Sequence, residues 1–273
     1  MACMATLQFW GVQGSYPGTY FSDPIGSNTS CVSIELKDSL LILDAGSGIR
    51  VLSQTLDMSK YDNIVLLLTH PHWDHIQGFP FFSSIYSKRN ITLFSHKINH
   101  VHALTNQLNG YNFPLKKEDL PCTFTPTTDI NALNKLIDTD IKMIPTNHQD
   151  CVGYRIIGNN CDATYIPDNQ LHNPNITPFD DMVHFCKDTD ILIHDSQYTN
   201  TDMPDKMNWG HSIYTDTLNL AQAANVQRFA LFHHEPTRSV ENLIEMENDC
   251  KAKMPGMDSF LAKEGMSIDL LGK

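Results

Sequence analysis

The chain has 273 residues, 41% of them apolar, and carries 31 acidic against 19 basic side chains for a formal charge of −12. That apolar fraction supports a packed core and excludes a wholly disordered chain, and no apolar run approaches the ~18–20 residues of a membrane-spanning helix. The negative balance disfavours a broad nucleic-acid-binding face, which needs Lys and Arg against phosphates, and leaves room for a small anionic substrate met by local cations.

Met1 to Trp10 lacks a basic stretch followed by an apolar one, so no cleaved leader is expected. The 7 Cys are scattered without a Cys-x-x-Cys pair, which reads as a reducing compartment and predicts a cytoplasmic protein with no membrane partner. No repeat, low-complexity tract or Gly/Ser linker interrupts the chain, and a single domain over 1–273 is the expected organisation.

In chain order, β-branched and apolar runs bounded by Gly, Pro, Asn or Asp predict strands over Leu7–Trp10, Val32–Leu36, Leu40–Asp44, Ile64–Thr69 and Ile91–Phe94. Further strands are predicted over Ile141–Pro145, Tyr154–Ile157, Ala163–Ile166, Ile191–His194 and Arg228–Phe232. Helical spacing marks Ile98–Leu108, Ser212–Val226 and Val240–Met254. Continuously apolar strands such as Ile64–Leu68 imply sheets buried on both faces, with helices covering the outer ones.

Strand Ile64–Leu68 runs into Thr69-His70-Pro71-His72-Trp73-Asp74-His75. Side chains two apart in extended backbone point the same way, so His70 and His72 can converge on one cation. A turn into helix then throws Asp74 and His75 to a neighbouring position, where they can hold a second. Pro71 stiffens the turn between them. Imidazole and carboxylate donors suit Zn²⁺, with Mn²⁺, Ni²⁺ or Fe also compatible. A set of ordinary polar turn residues would not place four such donors directly after an apolar strand.

His-x-His-x-Asp-His after a strand resembles the hallmark of the metallo-β-lactamase superfamily. The similarity extends through Gly26–Cys31, Leu43–Arg50, Asn147-His148 with Val152–Arg155, Tyr165–Asp168, Ile193–Tyr198, Trp209–Ser212 and Leu231–Pro236. These stretches look like the phosphodiesterase branch, which holds cyclic-nucleotide phosphodiesterases, including the anti-Pycsar enzymes, and is related to tRNA 3′-processing endonucleases. The resemblance implies an α/β fold, the four-layer αββα sandwich. It implies two divalent cations, Zn²⁺ foremost and Mn²⁺ compatible. His70, His72 and His148 would hold one, Asp74, His75 and His233 the other, with Asp168 bridging. His211 would contact a phosphoryl oxygen and protonate the leaving alkoxide, Asp195 would fix its tautomer, and Asp74 completes the catalytic set. Asp44 is either a carboxylate orienting a ligating His or a satisfied turn residue. A homodimer is implied as well.

The substrate expected from the resemblance is a small 3′,5′-cyclic mononucleotide, opened to a linear monophosphate by hydroxide attack on phosphorus at the cation pair. A tRNA 3′-processing endonuclease shares nearly every site residue but would use a Gly-rich basic arm, which the sequence does not display. A 2′,3′-cyclic or general phosphodiesterase, or a silent module that sequesters nucleotides, completes the alternatives. His96, His100 and His102 read as a surface helix start or lid, His194 as a core histidine and His234 as a supporting or surface residue. His172 and His184 have no partner pattern. The stretch Tyr198–Asn208 reads as a loop beside His211, a lid or a dimer contact.

Overall fold

Strand alternation divides the apolar residues of the amino-terminal half between two interiors. Leu41, Leu43, Val65 and Leu67 face one cluster, while Leu40, Ile42, Ile64, Leu66 and Leu68 face another. Only a sheet covered on both sides does this, which is why these runs are apolar throughout. The computed structural model describes residues 5–18, 24–158, 161–203 and 205–270.

In chain order the strands are β1 (Ala5–Gly11), β2 (Cys31–Glu35), β3 (Ser39–Leu43), β4 (Asn63–Leu67), β5 (Asn90–Phe94), β6 (Thr123–Thr127) and β7 (Asp140–Pro145). They continue with β8 (Val152–Gly158), β9 (Cys161–Ile166), β10 (Ile191–Asp195), β11 (Arg228–Phe232), β12 (Asp258–Leu261) and β13 (Ser267–Leu270). One seven-stranded sheet has the order β13-β1-β2-β3-β4-β5-β6, and a six-stranded sheet has the order β12-β11-β10-β9-β8-β7. β3 to β6 run parallel in the first sheet, and β9 to β12 run parallel in the second. β7 and β9 each pair antiparallel with β8, so they point the same way.

The helices are α1 (Ile49–Thr55), α2 (Trp73–Ile76), α3 (Ile98–Thr105), α4 (Ile130–Ile137), α5 (Phe179–Cys186), α6 (Tyr214–Ala223) and α7 (Val240–Lys253). α1 and α3 bury Ile49, Leu52, Val101 and Leu104 on the outer face of the first sheet. α5, α6 and α7 bury Met182, Leu218, Leu220, Leu243 and Met246 with the second. The result is the expected helix–sheet–sheet–helix sandwich.

Every predicted strand and helix is present. The structure adds β6, β12, β13, α1, α4 and α5, together with the short α2. No helix among the described residues is long and apolar enough to cross a membrane. The carboxyl ends of the parallel strands gather along one edge of the sandwich, the place where open α/β sheets leave a crevice.

Candidate active site

Six of the candidate residues sit at or just past strand ends on that edge, while His211 lies in the loop before α6. Asp44 follows β3, His70 follows β4, His148 follows β7, Asp168 follows β9, Asp195 ends β10 and His233 follows β11. His72 is still extended (φ −63°, ψ 154°), and α2 opens at Trp73. The strand-to-helix switch anticipated from spacing is therefore present, with His70 and His72 before it and Asp74 and His75 after it.

Two separate donor groups result, and Asp168, His211 and His233 form a third that overlaps them. One ligand atom from each of His70, His72, His148 and Asp168 lies within 4.8 Å of the others, and the same holds for Asp74, His75 and His233. Asp168 presents one oxygen to each of the first two. Its Oδ2 lies 3.5 Å from His70 Nε2 and 3.7 Å from His148 Nε2. Its Oδ1 lies 3.1 Å from His75 Nε2 and 3.3 Å from His233 Nε2.

The outward nitrogens of His70, His75, His148 and His233 are engaged. His70 Nδ1 lies 3.1 Å from Thr69 Oγ1, and His75 Nδ1 lies 2.8 Å from Asp44 Oδ2. His148 Nδ1–H donates to the Gly210 carbonyl at 2.9 Å, and His233 Nδ1–H to Gln197 Oε1 at 3.2 Å. Where the partner can only accept, the proton is fixed on Nδ1 and the Nε2 lone pair turns inward. His72 presents Nδ1 instead, 3.2 Å from His148 Nε2.

These residues fit divalent cations. His70 Nε2, His75 Nε2 and Asp168 Oδ1 are buried without a hydrogen-bond partner, although oppositely charged atoms are close by. These atoms lie 3.1–3.5 Å from oppositely charged neighbours without hydrogen bonding to them. A buried donor or acceptor left in this way costs about 1–3 kcal/mol. Asp74 and Asp168 are both buried, and neither has a Lys or Arg partner among the described residues. Cations held between imidazoles and carboxylates would satisfy both the orphaned atoms and the charge.

Electrostatics follows from the crowding. Burial, with His75 beside it, holds the His70 pKa well below the usual imidazole value. Burial works against ionising Asp168, but His233, His75 and His70 outweigh it and hold its carboxyl well below the ordinary range.

His211 lies against both groups. Its ring stacks on His233 at 4.9 Å between centroids and lies 5.3 Å from that of His148. Its Nδ1–H donates to Asp195 Oδ2 at 2.9 Å. Burial disfavours the imidazolium, yet the Asp195 carboxylate prevails and raises the His211 pKa to about 9. Asp195 Oδ2 also accepts from the Asn169 and Ser212 N–H groups at 3.1 and 3.3 Å. A carboxylate held this firmly fixes the imidazole it faces.

Asp44 resolves as a carboxylate orienting a site histidine. It accepts from Thr69 N–H (2.8 Å), the Thr69 hydroxyl (2.9 Å) and Tyr165 Oη (3.1 Å), besides facing His75. Thr69, Gln197, the Gly210 carbonyl and Ser15, whose N–H donates to Asp74 Oδ2 at 2.8 Å, are supports that sequence reasoning missed. Two of these are backbone groups, which leave no side-chain signature. Gln197 and Thr69 lie within the Ile193–Tyr198 and Thr69–His75 stretches, so their hint was present in the sequence.

Of the other histidines, His194 is a satisfied core residue, bonded to Asn169 and to the Asp195 carbonyl. His234 is buried against the Ala262 carbonyl at 2.9 Å. His96 and His100 meet edge to face with centroids 4.7 Å apart, and no third metal-capable side chain joins them among the described residues. His100 is buried, whereas His96 is only partly so. The loop after Tyr198 does lead into His211. Its Pro204 lies outside the described residues.

A family profile described as a beta-lactamase superfamily domain matches residues 40–234. The chain is 22% identical to ribonuclease Z of Picrophilus torridus, over 99% of this chain and 97% of that protein. Its fold superposes on the metallo-beta-lactamase fold protein YhfI of Bacillus subtilis with a TM-score of 0.72 at 17% identity, covering 98% and 100% of the two chains. Human tRNase Z, short form, superposes with a TM-score of 0.68 at 18% identity, covering 97% and 99%.

Proposed function

This chain belongs to the beta-lactamase superfamily and is a metal-dependent hydrolase of phosphodiester bonds, and we propose that it cleaves RNA in the manner of a tRNA 3′-processing endonuclease. The names of its full-length relatives support that substrate over the cyclic mononucleotide expected from the sequence. The observation that carries the catalytic part is the junction of two donor groups through the two oxygens of Asp168, with His211 and Asp195 against it.

In this proposal His70, His72 and His148 would hold one cation, and Asp74, His75 and His233 a second, with Asp168 shared between them. Bound divalent cations supply Lewis-acid activation of water and neutralise charge on the phosphoryl group. The remaining work belongs to the protein. A water oxygen bonds to phosphorus, and the P–O bond to the leaving sugar oxygen breaks. That oxygen takes its proton from His211 Nε2, the nitrogen left free when Nδ1 is committed to Asp195, and the proton released from water restores the imidazolium. Zn²⁺ is the proposed metal, and a homodimer, carried over from the family resemblance, the proposed assembly.

A second reading keeps the small cyclic nucleotide, because a charge of −12 opposes a long polyanion. The experiment that separates them incubates zinc- or manganese-loaded protein with a precursor tRNA bearing a 3′ trailer and, separately, with 3′,5′-cyclic mononucleotides. Trailer release that stops with chelator supports the endonuclease. Linear monophosphate from the cyclic substrates alone moves the assignment to the second reading. Tight nucleotide binding with no hydrolysis of either substrate removes the proposed function.

A further inference from the structure

We propose that the loop entering His211 carries a nucleobase platform, in which Trp209 stacks the base of the nucleotide bearing the scissile phosphate and Lys206 holds the indole in place. The inference rests on the phosphodiesterase reading above and names where its substrate is gripped. Trp209 is 60% exposed, and a large indole left in water beside a buried site serves no packing purpose.

The loop beneath it is tied down. Gly210, next in sequence, accepts from His148 Nδ1–H at 2.9 Å and donates its N–H to Gln170 Oε1 at 3.1 Å. The Gln170 amide donates to the Met207 carbonyl, so one buried side chain, two residues past Asp168, clamps the loop on both sides of Trp209. Lys206 Nζ lies 3.5 Å from the Trp209 ring centroid and 5.9 Å from that of Tyr198. Lys206 makes no ion pair among the described residues, although Asp202 and Asp205 share its loop and Asp202 pairs with Arg238 at 2.7 Å. Its ammonium is committed to the ring, a cation–π arrangement that fixes the indole plane.

A cation on one face leaves the other to a planar, apolar partner. The loop adjoins the open end of the site. His72, 3.2 Å from His148, is its exposed histidine, and His148 is the residue tied to Gly210. A base held on Trp209 therefore lies at the mouth next to the His72–His148 donor group. Stacking on an aromatic ring is tolerant of base identity, so the platform reads "nucleotide" and not a particular base.

The test compares two chromogenic diesters with the same leaving group, thymidine 5′-(p-nitrophenyl phosphate) and ethyl p-nitrophenyl phosphate, on manganese-loaded protein. Trp209→Ala should lower the kcat/KM ratio of nucleoside to ethyl ester by about 5- to 100-fold, the range for loss of one stacked base, mostly through KM. Trp209→Phe should restore most of it, and Trp209→Leu gives the same reading as Ala with the loop's bulk preserved. Lys206→Ala should raise KM for the nucleoside ester with kcat retained, and Lys206→Arg should reverse the effect. Thymidine 5′-monophosphate should quench tryptophan fluorescence of the wild type and not of Trp209→Phe, which keeps Trp10 and Trp73. A ratio unchanged within about 2-fold in both Trp209→Ala and Trp209→Leu overturns the platform and leaves the phosphodiesterase standing. Failure of the wild type to hydrolyse either ester overturns both.

Discussion

Asp44→Asn replaces one oxygen by an amide nitrogen at the base of the site and should weaken metal binding without contact to the metal. Asp44 Oδ1 accepts the Thr69 N–H at 2.8 Å, so the amide oxygen of Asn must stay there. Its NH₂ then replaces Oδ2 and meets His75 Nδ1, 2.8 Å away in the wild type. Two donors face each other unless His75 moves its proton to Nε2, the nitrogen directed at Asp168 and Asp74. The reverse amide orientation leaves the Thr69 N–H unpaired in the core, at about 1–3 kcal/mol. Backbone strain does not enter, because Asp44 is left-handed (φ 61°) and Asn tolerates that region as Asp does. Loss of such an orienting partner lowers metal affinity by about 10- to 100-fold, or about 1.4–2.7 kcal/mol. Competition with a graded series of chelators, read by elemental analysis, measures it. Wild-type affinity for both equivalents of metal in a folded Asp44→Asn protein would refute the argument that Asp44 sets the His75 tautomer.

His211→Ala should lower turnover by about 10²–10⁴-fold, the usual worth of one positioned acid, with metal stoichiometry intact; a variant as fast as wild type removes His211 from the reaction. Gly210→Ala should cost metal at the His70–His72–His148 group, because its Cβ would lie 2.4 Å from His148 Nδ1 and φ is +88°. Elemental analysis showing two full equivalents in that variant would contradict it. Away from the centre, burial beside His96 and Lys97 lowers the His100 pKa from the ordinary 6.5 to about 4. Between those values the unfolded chain binds the extra proton, so stability contributed by neutral His100 is complete above pH 6.5 and is lost as pH falls toward 4. Denaturant titrations should show a shallower loss over that window in His100→Gln; an identical slope would exclude His100 as a contributor.

The candidate donor cluster was legible because four of its members fall within six residues. A strand period of two followed by a helical turn is a local rule, and it placed His70, His72, Asp74 and His75 without reference to the rest of the fold. His148, Asp168 and His233 arrive from three other strand ends, and only the family resemblance singled them out. Spacing along the chain carries no information about which strand ends meet. The added strands show a different limit. β6 reads Thr-Phe-Thr-Pro-Thr and β13 Ser-Ile-Asp-Leu, short and half-polar because they are sheet edges, and Pro126 is tolerated where one side of the ladder is unpaired. α6 starts at Tyr214 and not Ser212 because Ser212 is used elsewhere. Its hydroxyl donates to the Asn169 carbonyl at 2.6 Å and its N–H to Asp195, so the site and not helix propensity sets that boundary.

The same competition explains the backbone of the site. Ser15, Asp44 and His233 are all left-handed at φ 57–61°, although none is glycine. Each such residue costs on the order of 1–3 kcal/mol unless its surroundings enforce it. Each also turns a chain segment inward. Ser15 delivers its N–H to Asp74, Asp44 its carboxylate to His75, and His233 its ring to Asp74 and Asp168. Glycine appears where a ring needs the space a Cβ would fill. A Cβ at Gly14 would lie 2.6 Å from the His233 imidazole. Strained turns and close approaches thus bring donors from two sheets within reach of shared points while leaving their inward atoms unsatisfied. A sequence selected for stability alone would place apolar side chains at these strand ends. Retaining buried carboxylates and orphaned imidazole nitrogens makes physical sense when cations complete the centre, since binding then offsets the cost of burying them.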